Sequence, residues 1–130
     1  MKLKGNSSSN LIVVSNYYNE SLFCKSISGL EIPILTITNN IDREGMIEIR
    51  SNRIFKSLKK KFIFLTARTH PGETYGSWMM HCFIKFLISS DPIATELRNH
   101  FIFKIIPMIN PDGVIIGNYR SCICGELIRK

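Results

Sequence analysis

The strongest chemical signal in this chain is a histidine and a glutamate three positions apart, His70 and Glu73. They lie in the run TARTHPGET at residues 66–74, which directly follows an apolar run at residues 62–65. A neutral imidazole and a carboxylate both suit zinc, but a catalytic zinc needs about three protein ligands and one position open for water. The pair therefore predicts part of a zinc site, which a third ligand must complete before it can do chemistry.

The position of this pair after a predicted strand makes the zinc-site prediction stronger than the spacing alone does. A bare H-x-x-E pattern is a weak motif, since such pairs also arise by chance. Ligands of open α/β sheets bind beyond the carboxyl ends of the strands, which is where this pair is expected. The other histidines are not spaced to supply the third ligand: His81 is predicted on the polar face of a helix, and His100 as a solvated or capping residue.

Arg120 and the cysteine pair Cys122 and Cys124 follow a predicted turn. An arginine beside a metal can clamp a carboxylate or polarise a carbonyl oxygen, and it can equally be a surface charge. The residues alone do not choose between these roles. A single C-x-C is a weak zinc signal without a second cysteine pair, so metal binding is not expected there.

The hydrophobic pattern predicts the strands that position these residues. They are predicted at residues 22–27, 31–38, 62–67 and 101–106, and residues 46–49 fit a short additional strand. The continuous apolar run at 62–67 is typical of a strand covered on both faces. Pro33 indicates an edge strand or the start of a strand.

Two helices are predicted before the last strand. The second begins with Asp91 as N-cap and Pro92 at its first position, and it runs to about Asn99. A turn is predicted at residues 110–113. The order β-β-β-α-α-β predicts an α/β sheet with helices packed on it. The first helix runs from about Tyr75 to Leu87, with His81 and Lys85 opposite an apolar stripe of Trp78, Met79, Cys82, Phe83, Phe86 and Leu87.

Composition limits the class of protein. The 130 residues allow one domain at most, with the 45% hydrophobic content of an ordinary soluble globular protein. A formal charge of +7 favours an acidic partner. Aromatic residues do not alternate with basic ones as on a nucleic-acid-binding surface, so no nucleic-acid partner is expected. A solvated connection is favoured over a binding patch for the basic segment of Arg50, Arg53, Lys56, Lys59, Lys60 and Lys61.

The sequence carries no sign of secretion or of membrane insertion. The apolar run at residues 11–14 is too short for a signal peptide, and no run approaches the roughly 20 apolar residues of a membrane span. The polar N-terminal segment, residues 1–14, is expected to be poorly ordered. A cytoplasmic location without a membrane partner is expected, because the cysteines lack a disulfide-framework spacing and should be reduced thiols: Cys24, Cys82, Cys122 and Cys124.

Two long motifs resemble the cytosolic carboxypeptidases, zinc metallocarboxypeptidases of peptidase family M14 that remove glutamates from tubulin and other protein tails. The first is TARTHPGET followed by SWMM, at residues 66–80, and the second is FKIIPMINPDGV followed by GNYR, at residues 103–120. Residues 17–38 resemble the strands that precede these motifs in that catalytic domain. The resemblance implies a truncated metallocarboxypeptidase-like domain at residues 15–130, with a partial mixed sheet and flanking helices as the first half of an α/β/α domain.

The resemblance also implies roles for single residues. His70 and Glu73 match two of the family's three zinc ligands, and Arg120 matches the arginine that polarises the scissile carbonyl and stabilises the oxyanion. With a one-residue gap, Arg129 matches an arginine that binds the substrate's terminal carboxylate, although Ile128 then replaces the family's asparagine. The implied reaction is zinc-dependent hydrolysis of a C-terminal peptide bond, with acidic, tubulin-like tails as substrates.

The family's third zinc ligand, a histidine, and its general-base glutamate lie beyond the point where this sequence stops. A zinc with two protein ligands has no fixed geometry, and its water has no proton acceptor. Two hypotheses follow. The chain is either part of a zinc carboxypeptidase that is incomplete and inactive by itself, or a non-catalytic remnant that binds acidic tails or nothing at all.

Overall fold

A computed structural model of the chain describes residues 17–39 and 60–126. In chain order the elements are β1 (Tyr18–Lys25), β2 (Glu31–Ile37), β3 (Lys61–Thr66), α1 (Tyr75–Leu87), α2 (Pro92–His100), β4 (Phe101–Ile106) and α3 (Pro111–Ile116). The four strands form one sheet in the order β1-β2-β4-β3, with antiparallel pairing throughout except between β3 and β4, which run parallel. The predicted α/β class, with a mixed sheet and flanking helices, is confirmed.

Helices α1 and α2 pack on one face of the sheet. Side chains alternate along a strand, so β2 and β4 send every second residue to this face, where they meet Leu87 at the end of α1. The opposite face carries a smaller buried cluster that includes Ile34 and Ile106. The main core therefore lies between the sheet and the two helices, and its strand residues are Leu35, Ile37, Phe103 and Ile105.

Strand β1 begins earlier than the sequence predicts. The strand expected at residues 22–27 lies at Tyr18–Lys25, because pairing with β2 from Tyr18↔Ile37 to Lys25↔Glu31 sets its limits. Most of its residues are exposed, so the hydrophobic pattern carries little information about them. The following turn is closed by Ser26 N, which donates to Leu30 O at 2.8 Å.

Pro33 lies inside β2, opposite an irregularity in β1 next to Leu22. The pairing of β2 with β4 extends only from Leu35 to Ile37, so Pro33 lies outside it and its missing N–H removes no bond to β4. The prediction that Pro33 marks an edge strand was wrong, since β2 lies between β1 and β4. Pro33 instead lies near the start of β2, which agrees with the second predicted alternative, a position at the start of a strand.

The apolar run of β3 predicts a strand that is covered on both faces, but in the described structure only one face is covered. It lies at one end of the described strand order, and Phe64 is 54% exposed. Ile63 and Leu65, which alternate with Phe64, pack against the main core. The prediction was wrong for the described structure, because an apolar run does not reveal whether a strand has packing partners on its second face.

Helix α1 has the predicted limits but a different packed face. Phe83 and Phe86 pack against the core, together with Met80 and Ile84, which the predicted stripe omitted. Three residues assigned to that stripe are exposed: Trp78 at 70%, Met79 at 69%, and Cys82. They lie on the flank of the helix, which hydrophobicity alone does not distinguish from the face that meets the sheet.

Helix α2 begins as predicted. The side chain of Asp91 accepts a hydrogen bond from Ile93 N at 2.7 Å, and Pro92 occupies the first helical position. The helix ends at His100, one residue after the predicted end. The buried Arg98 then joins α2 to the end of α1 by donating to Leu87 O and to Ser89 O.

The turn predicted at residues 110–113 is the first turn of a helix, α3. The side-chain oxygen of Asn110 caps the helix by accepting from Gly113 N at 3.1 Å. The dihedral angles of a type I turn are close to helical ones, so the same residues suit both. The turn prediction was therefore incomplete rather than misplaced.

Some predictions concern residues outside the described ranges. These are the N-terminal segment 1–14, the short strand at 46–49, Arg129, and the basic residues Arg50, Arg53, Lys56 and Lys59. Lys60 is described, and its Nζ donates to Asn39 O at 2.7 Å. Among the described helices, none has the length and apolar character needed to cross a membrane.

Asp112 anchors α3 to the turn between β1 and β2. Its buried carboxylate accepts hydrogen bonds from Ser26 Oγ at 2.7 Å and from Ser28 N at 3.1 Å. The bond from Ser26 is the main reason that the pKa of Asp112 is lowered, and desolvation by burial opposes it. The folded state therefore favours the ionised carboxylate.

Asp112→Asn is expected to lower the urea midpoint of unfolding at neutral pH, since the amide is a weaker acceptor for Ser26 and Ser28. Folding lowers the pKa of Asp112, so the ionised carboxylate stabilises the folded state. This stabilisation is complete above the ordinary aspartate pKa of about 4, and it is lost as the pH falls through the folded-state pKa. The variant should therefore lose less stability than the parent as the pH falls below about 4. Glu31→Gln, at an exposed carboxylate, is the matched control, and an unchanged pH dependence in Asp112→Asn would contradict this account.

Candidate metal centre

The loop between β3 and α1 carries His70 and Glu73, and it is bound to the segment that follows β4. Ala67 N donates to Ile106 O, and Ile109 N donates to Ala67 O, both at 3.0 Å. These bonds continue the contact between the two parallel strands beyond their ends. The loop therefore begins at the carboxyl edge of the sheet, where α/β proteins bind ligands.

His70 is buried, with 2% of its surface exposed, and its Nδ1 atom has no hydrogen-bond partner within the described part of the chain. Leaving a buried polar atom without a partner costs about 1–3 kcal/mol. A neutral imidazole nitrogen is a common zinc ligand, and a metal ion would satisfy such an atom. The state of Nδ1 therefore fits a metal-binding role.

Glu73 lies on the same turn, since its backbone N–H donates to His70 O at 3.2 Å. Its Oε1 lies 3.1 Å from Arg120 Nη2, with side-chain exposures of 18% for Glu73 and 49% for Arg120. A partly exposed ion pair of this kind contributes about 0–1 kcal/mol to the stability of the fold. Its main effect is to hold Arg120 and Glu73 next to each other. The structure thus brings together the predicted residues His70, Glu73 and Arg120.

The same carboxylate affects Tyr75, the first residue of α1. A hydrogen bond from its hydroxyl to the Glu73 side chain raises the pKa of Tyr75, and desolvation adds to this effect. The phenol therefore remains protonated and can donate to Glu73. Glu73 therefore interacts with Tyr75 as well as with Arg120.

Arg68 supports the loop, a role that the sequence did not reveal. Its Nε donates to Pro71 O at 2.7 Å, and its Nη1 donates to Ser77 Oγ at 2.9 Å. These bonds connect the loop to the first turn of α1. The φ angle of Arg68 is 56°, a left-handed conformation that is uncommon for a residue other than glycine. Glycine or asparagine at this position would have indicated a left-handed conformation, but an arginine does not.

Gly72 allows the segment that carries Arg120 to approach the loop. Its N–H donates to Tyr119 O at 2.8 Å. A Cβ atom at Gly72 would overlap the Tyr119 ring and lie 3.1 Å from the Tyr119 Cα. Only glycine permits this close contact between backbones, which places Arg120 next to Glu73.

Asn110 joins three segments around the site. Besides capping α3, its Nδ2 donates to Thr69 O at 3.3 Å and to Ser121 O at 3.4 Å. The local cap follows from the sequence N-P-D-G, because asparagine is a preferred N-cap and proline a preferred first residue. The two longer-range bonds have no local sequence signal.

An open cavity of about 880 Å³ lies beside this site. His70 and Glu73 line it from the loop, Leu65 lines it from β3, and Met79 and Cys82 line it from α1. Met79 and Cys82, which the sequence assigned to the core, therefore line this cavity, whereas Trp78 does not. Apolar walls around a few polar groups are typical of ligand-binding sites.

The other candidate residues lie elsewhere. His81 is exposed on α1, and His100 is exposed at the end of α2, with its Nδ1 atom 3.0 Å from Glu96 O. Both positions agree with the surface roles expected for them. Within residues 17–39 and 60–126, no group of three or more His, Cys, Asp or Glu residues could hold a metal ion.

Gly72→Ala is expected to destabilise the chain by about 1–3 kcal/mol, the usual cost of overpacking, because the new methyl group would overlap the Tyr119 ring. In a Tyr119→Ala background the same substitution should cost less, since only the approach to the backbone remains. Urea unfolding of the parent, both single variants and the double variant measures this interaction energy.

Gly76→Ala is the matched control for this cycle, because a Cβ atom at Gly76 would lie 3.8 Å from its nearest neighbour, Arg68 N. It should not destabilise the chain, since alanine is the better helix former. Strict additivity of Gly72→Ala and Tyr119→Ala would contradict the proposed contact between these residues.

Comparison with known proteins places this geometry in a family. The family model described as zinc carboxypeptidase, Peptidase_M14, matches residues 16–124. Cytosolic carboxypeptidase 2 of Xenopus tropicalis is 47% identical over 116 residues, which cover 89% of this chain and 11% of that protein. Human cytosolic carboxypeptidase 4 is 43% identical over 115 residues, which cover 88% of this chain and 10% of that protein. The chain thus spans about a tenth of the length of these relatives.

Solved structures agree. A metallo-carboxypeptidase from Burkholderia cenocepacia superimposes with a TM-score of 0.67 at 26% identity, covering 85% of this chain and 27% of that one. A metallo-carboxypeptidase from Pseudomonas aeruginosa has the same fold, with a TM-score of 0.60 at 24% identity over 82% of this chain and 25% of that one. The family match over residues 16–124, together with this fold, shows that the chain belongs to the zinc carboxypeptidase family, peptidase family M14.

Proposed function

We propose that these residues form part of the active site of a zinc-dependent carboxypeptidase that hydrolyses the C-terminal peptide bonds of acidic protein tails in the cytoplasm. One observation carries the proposal: the buried Nδ1 of His70 has no partner among the described residues and lies on the same turn as Glu73. Family membership supports the chemistry. The names of the cytosolic relatives support the location.

His70 and Glu73 would hold the metal. An imidazole nitrogen and a carboxylate oxygen are the two ligand types of His₂Glu zinc sites, which need one further histidine. Zinc in such a site supplies a Lewis acid that polarises a carbonyl oxygen and lowers the pKa of water. The hydrogen bond from Glu73 N to His70 O fixes the turn, so little backbone reorganisation is needed for both side chains to bind one ion.

Arg120 would act on the substrate. Its guanidinium contacts Glu73, and about half of its side chain is exposed toward solvent. If Glu73 serves as a metal ligand, its negative charge is shared, and Arg120 gains freedom to donate to a carbonyl oxygen nearby. Hydrogen-bond donors held in advance at the place where negative charge develops stabilise a transition state most effectively.

The charge of the chain supports an acidic substrate class. A formal charge of +7 attracts acidic peptides over long distances and should make their association sensitive to salt. Arg129, whose role in binding the terminal carboxylate rests on sequence resemblance, lies outside the described residues. Glutamate-rich tails of the tubulin type are the proposed substrates on these grounds.

A second candidate function is binding of acidic tails without catalysis. It is favoured by the finding that His70 and Glu73 have no third metal-ligating partner within the described ranges. The two functions make different predictions for metal affinity and for hydrolysis. A tail-binding module would retain salt-sensitive binding of acidic peptides whether or not zinc is present.

A polypeptide of these 130 residues is expected to bind zinc weakly, because two ligands cannot close a tetrahedral site. Equilibrium dialysis should be performed in a Cys122→Ser/Cys124→Ser background, which removes thiolates that could bind zinc themselves. His70→Ala should abolish the weak binding, and His81→Ala, at an exposed histidine, is the matched control. One tightly held zinc per chain that is lost in His70→Ala would reveal a third ligand and contradict this expectation.

A polypeptide extended to the length of the relatives tests the function itself. It should release C-terminal glutamate from acidic peptides in a reaction that a chelator stops, and it should act more slowly on peptides that end in aliphatic residues. Arg120→Ala should lower kcat by about 10²–10³-fold, with little change in KM and with the zinc content retained.

Arg120→Lys is the matched variant for charge, and it should restore only part of kcat because lysine lacks the planar fork of arginine. Salt-sensitive peptide binding without hydrolysis would favour the tail-binding function instead. Near-normal kcat in Arg120→Ala would remove this residue from the active site, and loss of zinc in that variant would indicate a structural role.

A further inference from the structure

Cys122 and Cys124 lie close together after the segment that carries Arg120. Their sulfur atoms are 3.1 Å apart, and neither cysteine is in a disulfide. Cys124 is exposed and Cys122 is partly exposed, so small molecules can reach both. The C-x-C motif, which the sequence alone marks as a weak metal signal, is therefore a dithiol with both sulfurs in contact.

A hydrogen-bonded turn holds the two thiols in this arrangement. Cys122 N donates to Glu126 O at 3.0 Å, and Gly125 N donates to Cys122 O at 3.1 Å. The side chain of Asn118 donates to the same Cys122 carbonyl at 3.0 Å. Gly125 has a φ of 80°, a conformation that a residue with a Cβ atom adopts only at a cost. The turn itself, and not only the spacing in sequence, thus keeps the sulfurs in contact.

The two thiols differ chemically. The hydrogen bond from the Cys124 thiol is the main reason that the pKa of Cys122 is lowered, and the same contact raises the pKa of Cys124. A thiolate, not a thiol, is the nucleophile in redox reactions. We take Cys122 as the attacking sulfur and Cys124 as the resolving one, an assignment that the two single variants test.

In the part of the chain that the structure describes, the lack of further metal ligands beside the pair favours oxidation over metal binding. Two thiolates on one tetrahedral zinc would lie about 3.8 Å apart, from Zn–S bonds of about 2.3 Å, and the ion would need two further ligands. Within the described residues, no group of three metal-ligating side chains includes this pair. A disulfide needs no additional ligand, and its formation would shorten the 3.1 Å contact between the two sulfurs to about 2.05 Å.

We propose that Cys122 and Cys124 form a redox-active dithiol, which peroxides convert reversibly to a disulfide within the turn. The Cys122 thiolate attacks one oxygen of hydrogen peroxide, so that an S–O bond forms, the O–O bond breaks, and the leaving hydroxide takes up a proton to become water. Cys124 sulfur then attacks Cys122 sulfur, so that the S–S bond forms and the S–O bond breaks. The departing oxygen leaves as a second water with the Cys124 proton, and peroxide has accepted two electrons.

The chain contains its own controls. Cys24 and Cys82 are also exposed, but within the described residues neither of them contacts a second cysteine, so neither has a resolving thiol there. Trypsin separates the three sites, because cleavage after Arg120 and Arg129 releases both paired cysteines in the peptide of residues 121–129. Cys24 and Cys82 fall in the peptides of residues 5–25 and 69–85.

The test treats the folded 130-residue chain with limiting hydrogen peroxide, blocks remaining thiols with iodoacetamide, and analyses the tryptic peptides by mass spectrometry. The peptide of residues 121–129 should become resistant to alkylation and lighter by two hydrogens, about tenfold faster than Cys24 or Cys82 loses reactivity. Dithiothreitol should restore two alkylation sites. Equal oxidation of all four cysteines, or a 121–129 peptide that stays doubly alkylated, would overturn the proposal.

Two single variants test the order of the steps. Cys124→Ser should stop the reaction at a sulfenic acid on Cys122, which dimedone traps on the peptide of residues 121–129. Cys122→Ser should react several-fold more slowly, because desolvation and the charge of Glu126 also raise the pKa of Cys124 and persist in this variant. If Cys122→Ser is trapped as fast as Cys124→Ser, Cys122 is not the attacking sulfur and the proposed mechanism is wrong.

Discussion

Strands β3 and β4 run parallel, from Lys61↔Phe101 to Thr66↔Ile106, and both therefore leave the sheet at the same edge. The loops that follow them are then bound to each other, by Ile109 N to Ala67 O and by Gly72 N to Tyr119 O. Residues about 50 positions apart in sequence meet there as a consequence, and Glu73 contacts Arg120. The position of the candidate site thus depends on this one parallel pairing, which the core beneath it stabilises.

The chain retains unfavourable features at this edge. Nδ1 of buried His70, which has no partner among the described residues, and the left-handed backbone of Arg68 each cost about 1–3 kcal/mol, and they lie two residues apart. Hydrogen bonds from Arg68 to Pro71 and Ser77 hold the loop in this shape. Unfavourable conformations of this kind persist where contacts with the surrounding structure hold them in place, and they are common at functional sites. A metal ion at Nδ1 would remove the first of these costs.

The sequence predicted the features that depend on interactions between residues close together in the chain. The limits of α1 and the Asp91–Pro92 start of α2 were confirmed, since capping and helical periodicity act within a few residues. The limits of β1 and the exposure of β3 were not predictable, because strand pairing and the covering of a face depend on distant segments. At the site, the types of His70 and Glu73 indicated metal chemistry, whereas the supporting contacts of Arg68 and Tyr119 carry no local signal. The sequence left the role of Arg120 open, and its contact with Glu73 depends on segments that are distant in sequence.

The proposed zinc site depends most on the Nδ1 atom of buried His70, which has no partner among the described residues. Long-range ¹H–¹⁵N correlation spectra of the ¹⁵N-labelled chain report each histidine ring nitrogen separately during a zinc titration. His70 Nδ1 is expected to respond first, while both ring nitrogens of His81 and His100 stay unchanged until zinc is in large excess. A response at His81 or His100 with His70 Nδ1 unchanged would contradict the proposed zinc site.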